Sequence, residues 1–415
     1  MKTKKLVALL LCLALVVGSL TGCSKKDDNA GDDSQQTGGQ TTTDDKKDDA
    51  DKDSGSDDFK GTIKLGGLAP LTGNYAEYGK GFQVGFAMAI EEINAKGGAN
   101  GYKLEIEIKD SQGDPVTSST LCTDFAEDDE IMAILGDFTS GACKANAEIV
   151  DRYGIVQLSP TASADDYAEM SEYCFSIMGR QDVEAPFLAK YILNKYLEAK
   201  KIAVIRVDSD WGLSCYSNFE KQAKVEGLDV TVETYATGEK DFSSLITKMK
   251  ATNPDVLVVM DQGDAVAQIF NQADAAGWEI QHVALGPGTS AQVADQLTDK
   301  DNLILTSPFF FDENDAELTA WKTEFESRAG FSPTIHPACA YDCIYLIANA
   351  IEKIGDGEVT RDAIRDALAS NTYEGVTGQI VFTEAGDIKR NYMICGLKEG
   401  KWTVLEGFEY GAAGV

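Results

Sequence analysis

Along most of the chain, short apolar runs alternate with stretches in which apolar residues recur every three or four positions. Ile63 to Leu68, Leu104 to Ile108, Ile131 to Leu135 and Ile155 to Leu158 are compact apolar runs of strand length. Between them the spacing predicts helices over 79–96, 114–128 and 141–153. The cycle resumes with strands at 202–207, 230–235, 256–260, 283–285 and 303–306, again separated by helical patterns. Alternation of this kind predicts an α/β fold with parallel sheets and helices on both faces, because right-handed crossovers leave few other arrangements. Two such sheets are expected. The last third predicts helices near 315–329, 338–354 and 360–369 and strands near 379–382, 391–397 and 402–405, too few strands for a third sheet. It is expected to return and complete both lobes.

The first 58 residues break this pattern. Lys2, Lys4 and Lys5 precede the apolar run Leu6 to Leu20, which is too short for a confident membrane span and reads as an export signal. The run ends in Leu20-Thr21-Gly22-Cys23, which resembles the lipobox of bacterial lipoproteins; that resemblance implies cleavage after residue 22 and a lipid on Cys23. Residues 24–58 hold 12 Asp, 5 Lys and, as apolar side chains, two Ala. Such a segment buries too little surface to offset its ordering entropy, and as a flexible tether its ends would lie roughly 30 to 35 Å apart.

Charge and composition narrow the function. The whole chain of 415 residues carries a formal charge of -31, which disfavours nucleic acid as a partner. Only two histidines, His282 and His336, are present, so His-dependent catalysis and His-rich metal sites have little to draw on. Neither a G-x-S-x-G elbow nor a P-loop occurs. Gly79-Lys80-Gly81-Phe82-Gln83-Val84-Gly85 imitates a dinucleotide fingerprint, but it lies too far past the first strand and reads as a helix opening. His336, Cys339 and Cys343 share one helical stripe; core packing is the expected role, and no metal or cofactor is expected. The acidic run Glu127 to Glu130 is expected to be solvated surface.

In a doubly wound sheet, ligands sit beyond the carboxyl ends of the strands where strand order reverses. Two strand ends there are rich in hydroxyls. The strand at 131–135 runs into Gly136-Asp137-Phe138-Thr139-Ser140 and then a helix, a place suited to a carboxylate. The strand at 155–158 runs into Ser159-Pro160-Thr161-Ala162-Ser163.

These segments resemble the type I periplasmic binding proteins, and among them the leucine/isoleucine/valine-binding group. The resemblance covers nearly all of 60–405. It is carried by Gly66 to Gly79, Ile93-Asn94-Ala95-Lys96-Gly97-Gly98, Asp110 to Pro115, Ser159 to Ser163, Gly238-Glu239-Lys240-Asp241-Phe242 and Ala275-Ala276-Gly277. It implies two doubly wound parallel-sheet lobes joined by a three-strand hinge, with crossovers near 181, 310 and 393. The expected organisation is a signal peptide at 1–22, a lipidated Cys23 and acidic tether at 23–58, an N-terminal lobe of 59–181 plus 311–392, and a C-terminal lobe of 182–310 plus 393–415.

The same resemblance assigns roles. Ser140 and Ser163 would hold a ligand carboxylate, and the Thr161 carbonyl would receive an amine. Tyr78 and Trp211 would be aromatics from opposite lobes, and Asp261 and Gln262 would face the amine or side chain. Phe138 and the run Phe309-Phe310-Phe311 would shape specificity. One acidic position after Gly-Pro is Gly288 here, so either Asp261 or Asp210 supplies a countercharge or the ligand lacks a free amine. The family's bridging cysteine positions are Gly113 and Thr139, and Cys122 with Cys143 is the substitute pair expected in the first lobe.

The sequence thus predicts a monomeric, exported lipoprotein at the outer face of the cell membrane. By the resemblance it would capture a small polar ligand, a branched-chain or other amino acid, by hinge closure of the two lobes, and hand it to an ABC permease. A sensory receptor of the same fold is the alternative, and an exported enzyme a weaker one.

Overall fold

The computed structural model describes residues 59–407. The export signal, Cys23 and the acidic tether lie outside the described residues. The first lobe opens with β1 (Gly61–Ala69), α1 (Ala76–Ala95), β2 (Tyr102–Asp110), α2 (Pro115–Glu127), β3 (Ile131–Leu135), α3 (Ser140–Tyr153), β4 (Val156–Ser159) and β5 (Cys174–Ser176). Its sheet is wholly parallel in the order β2-β1-β3-β4-β5, so strand order reverses beside β1.

The second lobe contains α4 (Gln181–Phe187), β6 (Lys201–Asp208), α5 (Asp210–Glu226), β7 (Asp229–Ala236), α6 (Ser243–Lys250), β8 (Val256–Met260), α7 (Asp264–Ala275), β9 (Gln281–Ala284), α8 (Ala291–Gln296) and β10 (Leu303–Ser307). The chain then adds α9 (Ala316–Ala329), α10 (Ile335–Ile354) and α11 (Arg361–Ala369) to the first lobe. A separate two-stranded ribbon follows, β11 (Thr372–Gly375) with β12 (Gly378–Val381). The last described strands are β13 (Met393–Lys398) and β14 (Lys401–Gly407). The second sheet runs β14-β13-β10-β9-β8-β6-β7, and its last two strands are antiparallel, which makes it a mixed rather than a purely parallel sheet. The turn between them accounts for the final pairing. A parallel return needs a crossover of a dozen residues or more, whereas β13 and β14 are joined by a tight turn.

Each lobe has its own core. The first, including Leu65, Phe82, Phe86, Ile134, Phe325 and Leu346, draws on residues up to Met178 and again from Trp321 to Ile388. The second, including Val204, Phe219, Val258 and Phe270, draws on Ala185 to Leu305 and on Tyr392 to Leu397. The chain therefore passes between cores three times. β8 is buried at all five positions, the continuous apolar run expected of a parallel strand covered on both faces. Local signals fix the helix ends: Asp114 caps α2 with Pro115 behind it, Ser209 caps α5, and α3 closes on Gly154 at φ 57°.

The glycines that imitate a nucleotide fingerprint have a packing role inside α1. A Cβ on Gly79 would come 2.1 Å from the Pro70 carbonyl oxygen, and one on Gly85 would come 2.5 Å from that of Pro337. Those positions let α1 seat directly on the loop after β1 and on α10. All seven cysteines of the described residues are free and buried, so the expected Cys122–Cys143 cross-link is absent. Both thiols face the apolar core, and burial pushes Cys122 up to about 12, which keeps it protonated. No described helix is long and apolar enough to cross a membrane.

Candidate functional site

The carboxyl ends of β3 and β4 in the first lobe face those of β6, β8, β9 and β10 in the second, and a cavity lies between them. Its wall includes Phe138, Thr161, Ser163, Met178, Gln181, Glu184, Trp211, Gln262, Pro287 and His336. Of about 340 Å³ of interatomic space here, only about 10 Å³ is wide enough for a water molecule, too little for a solute. Most of this is thin space between side chains, so entry of a solute requires the lobes to part.

Ser140 is the first residue of α3, after the Thr139 cap whose hydroxyl accepts from the Ala142 N–H. The Ser140 Oγ accepts from the Ser163 and Ala164 backbone N–H groups, each at 3.2 Å. The Ser163 Oγ accepts from Gln181 Nε2 and from Trp211 Nε1, each at 3.1 Å. A hydroxyl has two acceptor lone pairs and one proton to give. With both lone pairs used, each serine is left as an oriented donor, and both are buried, Ser140 behind Ser163. A carboxylate is the acceptor such a pair suits, and the start of α3 adds to that preference.

The aromatic side of the cavity is built from Phe138, which stacks on Tyr78 with ring centroids 4.2 Å apart, and from His336, edge-on to Tyr78 at 4.9 Å. Burial pushes the His336 imidazole down to about 3, so it is a neutral wall. Its Nδ1 shares a hydrogen bond with Thr334 Oγ1 at 2.9 Å. Further along the same stripe, Cys339 lies against the Arg390 guanidinium in the core.

Tyr78, which the family resemblance places at the cleft mouth, is buried and ties the lobes together. Its hydroxyl donates to the Pro287 carbonyl at 2.9 Å and accepts from the Gly263 N–H at 3.0 Å. Trp211 crosses in the other direction to Ser163. Lys144 of the first lobe meets Asp210 of the second at 3.2 Å. Glu77 reaches across to accept from the Ala291 and Gln292 N–H groups at 3.2 and 2.9 Å. The structure is thus a closed state held by polar contacts between lobes.

Glu77 gives closure a pH dependence. Burial pushes its carboxyl up to about 7 in this closed arrangement, against 4.5 when free. A carboxyl whose pKa rises on closure holds its proton more tightly closed than open, so the contribution to closure is full below 4.5 and is lost as pH rises through 7. Solute affinity is expected to tighten as pH falls from 8 to 6, and Glu77→Gln is expected to flatten that slope; calorimetry across the range measures both.

Of the residues singled out from the sequence, Thr161, Ser163, Trp211 and Gln262 line the cavity, and Ser140 lies directly behind Ser163. The Thr161 hydroxyl donates to the Phe138 carbonyl at 2.8 Å and so braces the two hydroxyl-rich turns. Asp261 is buried beside the cavity but turned to the Tyr235 hydroxyl, and burial pushes it up to about 6. Phe309 and Phe311 pack against each other and toward Trp321 in the first core, away from the cavity; Pro308 takes their place on its wall. Met178, Gln181, Glu184 and His336 belong to the wall without having been singled out for it. Gln181 and Glu184 had one signal: they fall at the first predicted crossover, i and i+3 on a helix.

Residues 62–401 match the family described as periplasmic binding protein. The chain belongs to the periplasmic binding protein family. Among curated relatives of this periplasmic binding protein, the leucine-, isoleucine-, valine-, threonine- and alanine-binding protein of Pseudomonas aeruginosa is 28% identical over 334 residues, covering 79% of this chain and 87% of its own. The Leu/Ile/Val-binding protein BraC3 of Rhizobium johnstonii is 30% identical over 359 residues, covering 83% and 94%. Among solved structures, the branched-chain amino acid transporter substrate binding protein LivJ of Streptococcus pneumoniae, in complex with isoleucine, superposes with a TM-score of 0.76 at 27% identity, covering 83% of this chain and 99% of that one.

Proposed function

We propose that this periplasmic binding protein is the extracytoplasmic receptor of an ABC transporter, held at the membrane face by a lipid on Cys23. It captures a small carboxylate-bearing solute, an amino acid of the branched-chain kind or a close relative, by closing its lobes around it. The observation that carries the reading is the pair of serine hydroxyls, each with both lone pairs occupied and a proton left to give: Ser163 on the wall of the interlobe cavity and Ser140 directly behind it. The named specificities of the relatives agree with it. Capture without turnover fits the same geometry, because the Ser163 hydroxyl is bonded to an amide and an indole, neither of which is a base.

A thermal-shift panel of the common amino acids and of simple carboxylic acids tests this. A true solute at a hundred times its dissociation constant should stabilise the protein by about 2.7 kcal/mol. No shift across both panels would sink the capture reading.

A further inference from the structure

We propose that Glu184, carried on the first crossing between the lobes, is the countercharge for a cationic group of the captured solute, which makes that solute an α-amino acid-like zwitterion. The proposal rests on the capture reading above and adds the group that reads the cationic end.

Three acids lie near the cavity, and their surroundings differ. Asp210 is half exposed and already paired with Lys144 at 3.2 Å. Asp261 is buried, yet it accepts from the Tyr235 hydroxyl and the Gln262 N–H and is not on the cavity wall. Glu184 is on the wall and only 4% exposed. Its donors are all neutral: the Gly286 N–H at 2.8 Å and Thr306 Oγ1 at 2.5 Å to one oxygen, and Gln181 Nε2 at 2.6 Å to the other. A carboxylate this deeply buried, hydrogen-bonded but lacking a cation, is a group whose charge a ligand ammonium would balance.

The glycines beside it fit this placement. A Cβ on Gly286 would stand 2.9 Å from Glu184 Oε1, so the carboxylate fills space that any other residue at 286 would claim. A side chain on Gly288 would begin against Ala284, Leu305 and Val266, at 3.2 to 3.9 Å, and so starts in the apolar core of the second lobe. The acidic position missing at 288 is therefore replaced from a different segment.

Gln181 supplies the geometry of a zwitterion. Its Nε2 donates both to Ser163 Oγ at 3.1 Å and to Glu184 Oε2 at 2.6 Å. One amide thus sets a hydroxyl that gives its proton beside a carboxylate that takes one. A carboxylate and an ammonium separated by a single carbon present the complementary pair.

The test compares, by calorimetry, the amino acid giving the largest thermal shift with the carboxylic acid of the same skeleton lacking the amine. Wild type should prefer the amino acid. Glu184→Gln should weaken amino-acid binding by at least roughly thirtyfold, the low end for a buried ion pair that loses one partner, and leave the amine-free acid within about twofold. Asp261→Asn should keep the wild-type preference. Equal weakening of both probes by Glu184→Gln, no weakening, or loss of the preference in Asp261→Asn instead would overturn the assignment. If wild type binds only amine-free acids, capture stands and the Glu184 assignment falls, a result independent of whether any variant folds. If neither panel binds, both fall.

Discussion

Ser163→Ala is expected to weaken solute binding by about 10- to 100-fold because it removes a donor hydroxyl from a charged acceptor in a water-poor cavity, and Ser140→Ala, whose hydroxyl stands directly behind, to weaken it by a similar factor. The two will not be independent. Ser140 Oγ holds the Ser163 and Ala164 N–H groups, so losing it also loosens the turn that aims Ser163. The double variant should therefore fall short of the product of the singles. Ser163→Ala has a second consequence: Trp211 Nε1 and Gln181 Nε2 lose their shared acceptor, and one of the contacts that close the lobes, the one from Trp211, goes with it. Calorimetry separates these effects, since a weaker carboxylate site lowers affinity for any acid, whereas a lost latch also raises the open population seen by small-angle scattering. Unchanged affinity in both single variants would remove these serines from the site.

Arg390→Met is expected to cost about 2–6 kcal/mol of stability, the penalty for two buried carbonyls stripped of their donors, read as a lower urea midpoint. The Arg390 guanidinium is buried and donates to the Ile177 carbonyl through Nε and Nη2, at 3.1 and 2.7 Å, and to the Thr377 carbonyl through Nη1 at 2.6 Å. Removing it leaves those carbonyls buried without donors, each costing about 1–3 kcal/mol. Asp342 holds the same turn from the other side by accepting from the Val376 and Thr377 N–H groups, each at 2.9 Å. Arg390→Lys should rescue little, because a single ammonium cannot replace a planar fork that reaches two carbonyls at once. A cost below about 1 kcal/mol for Arg390→Met would show that neighbouring groups re-pair those carbonyls.

Much of this architecture is legible in the sequence because parallel strands buried on both faces read as unbroken apolar runs, and the run from Val256 to Met260 coincides with β8. What escapes is short or irregular. β5 is three residues, Cys174-Phe175-Ser176, too few for a pattern. The helical stretch after it carries Pro186 inside α4 and continues as a π-helix over Leu188–Tyr196, so its apolar spacing departs from the ordinary 3.6-residue period. The site divides in the same way. The hydroxyl-rich turns at Ser140 and Ser163 are visible because they follow strong strands. Glu184 is not, because it reaches the cavity from a crossing, and only the fold shows that the space at Gly286 is the space its carboxylate fills. The acidity of Asp261 and the absence of an acid at 288 point toward a missing countercharge, while its position depends on packing.

The three passages of the chain between the two cores constrain how the lobes move. A single covalent link would let one lobe swing and twist freely about the other. Two would still permit shear along the line joining them. Three side-by-side links leave little beyond rotation about one axis, so closing becomes nearly a one-dimensional motion. Whatever a solute does to Ser163, Trp211 or Glu184 is then reported at the rim by a single coordinate, the gap that Glu77 and Lys144 span. A membrane partner touching both rims would need to sense only that gap to distinguish a filled receptor from an empty one.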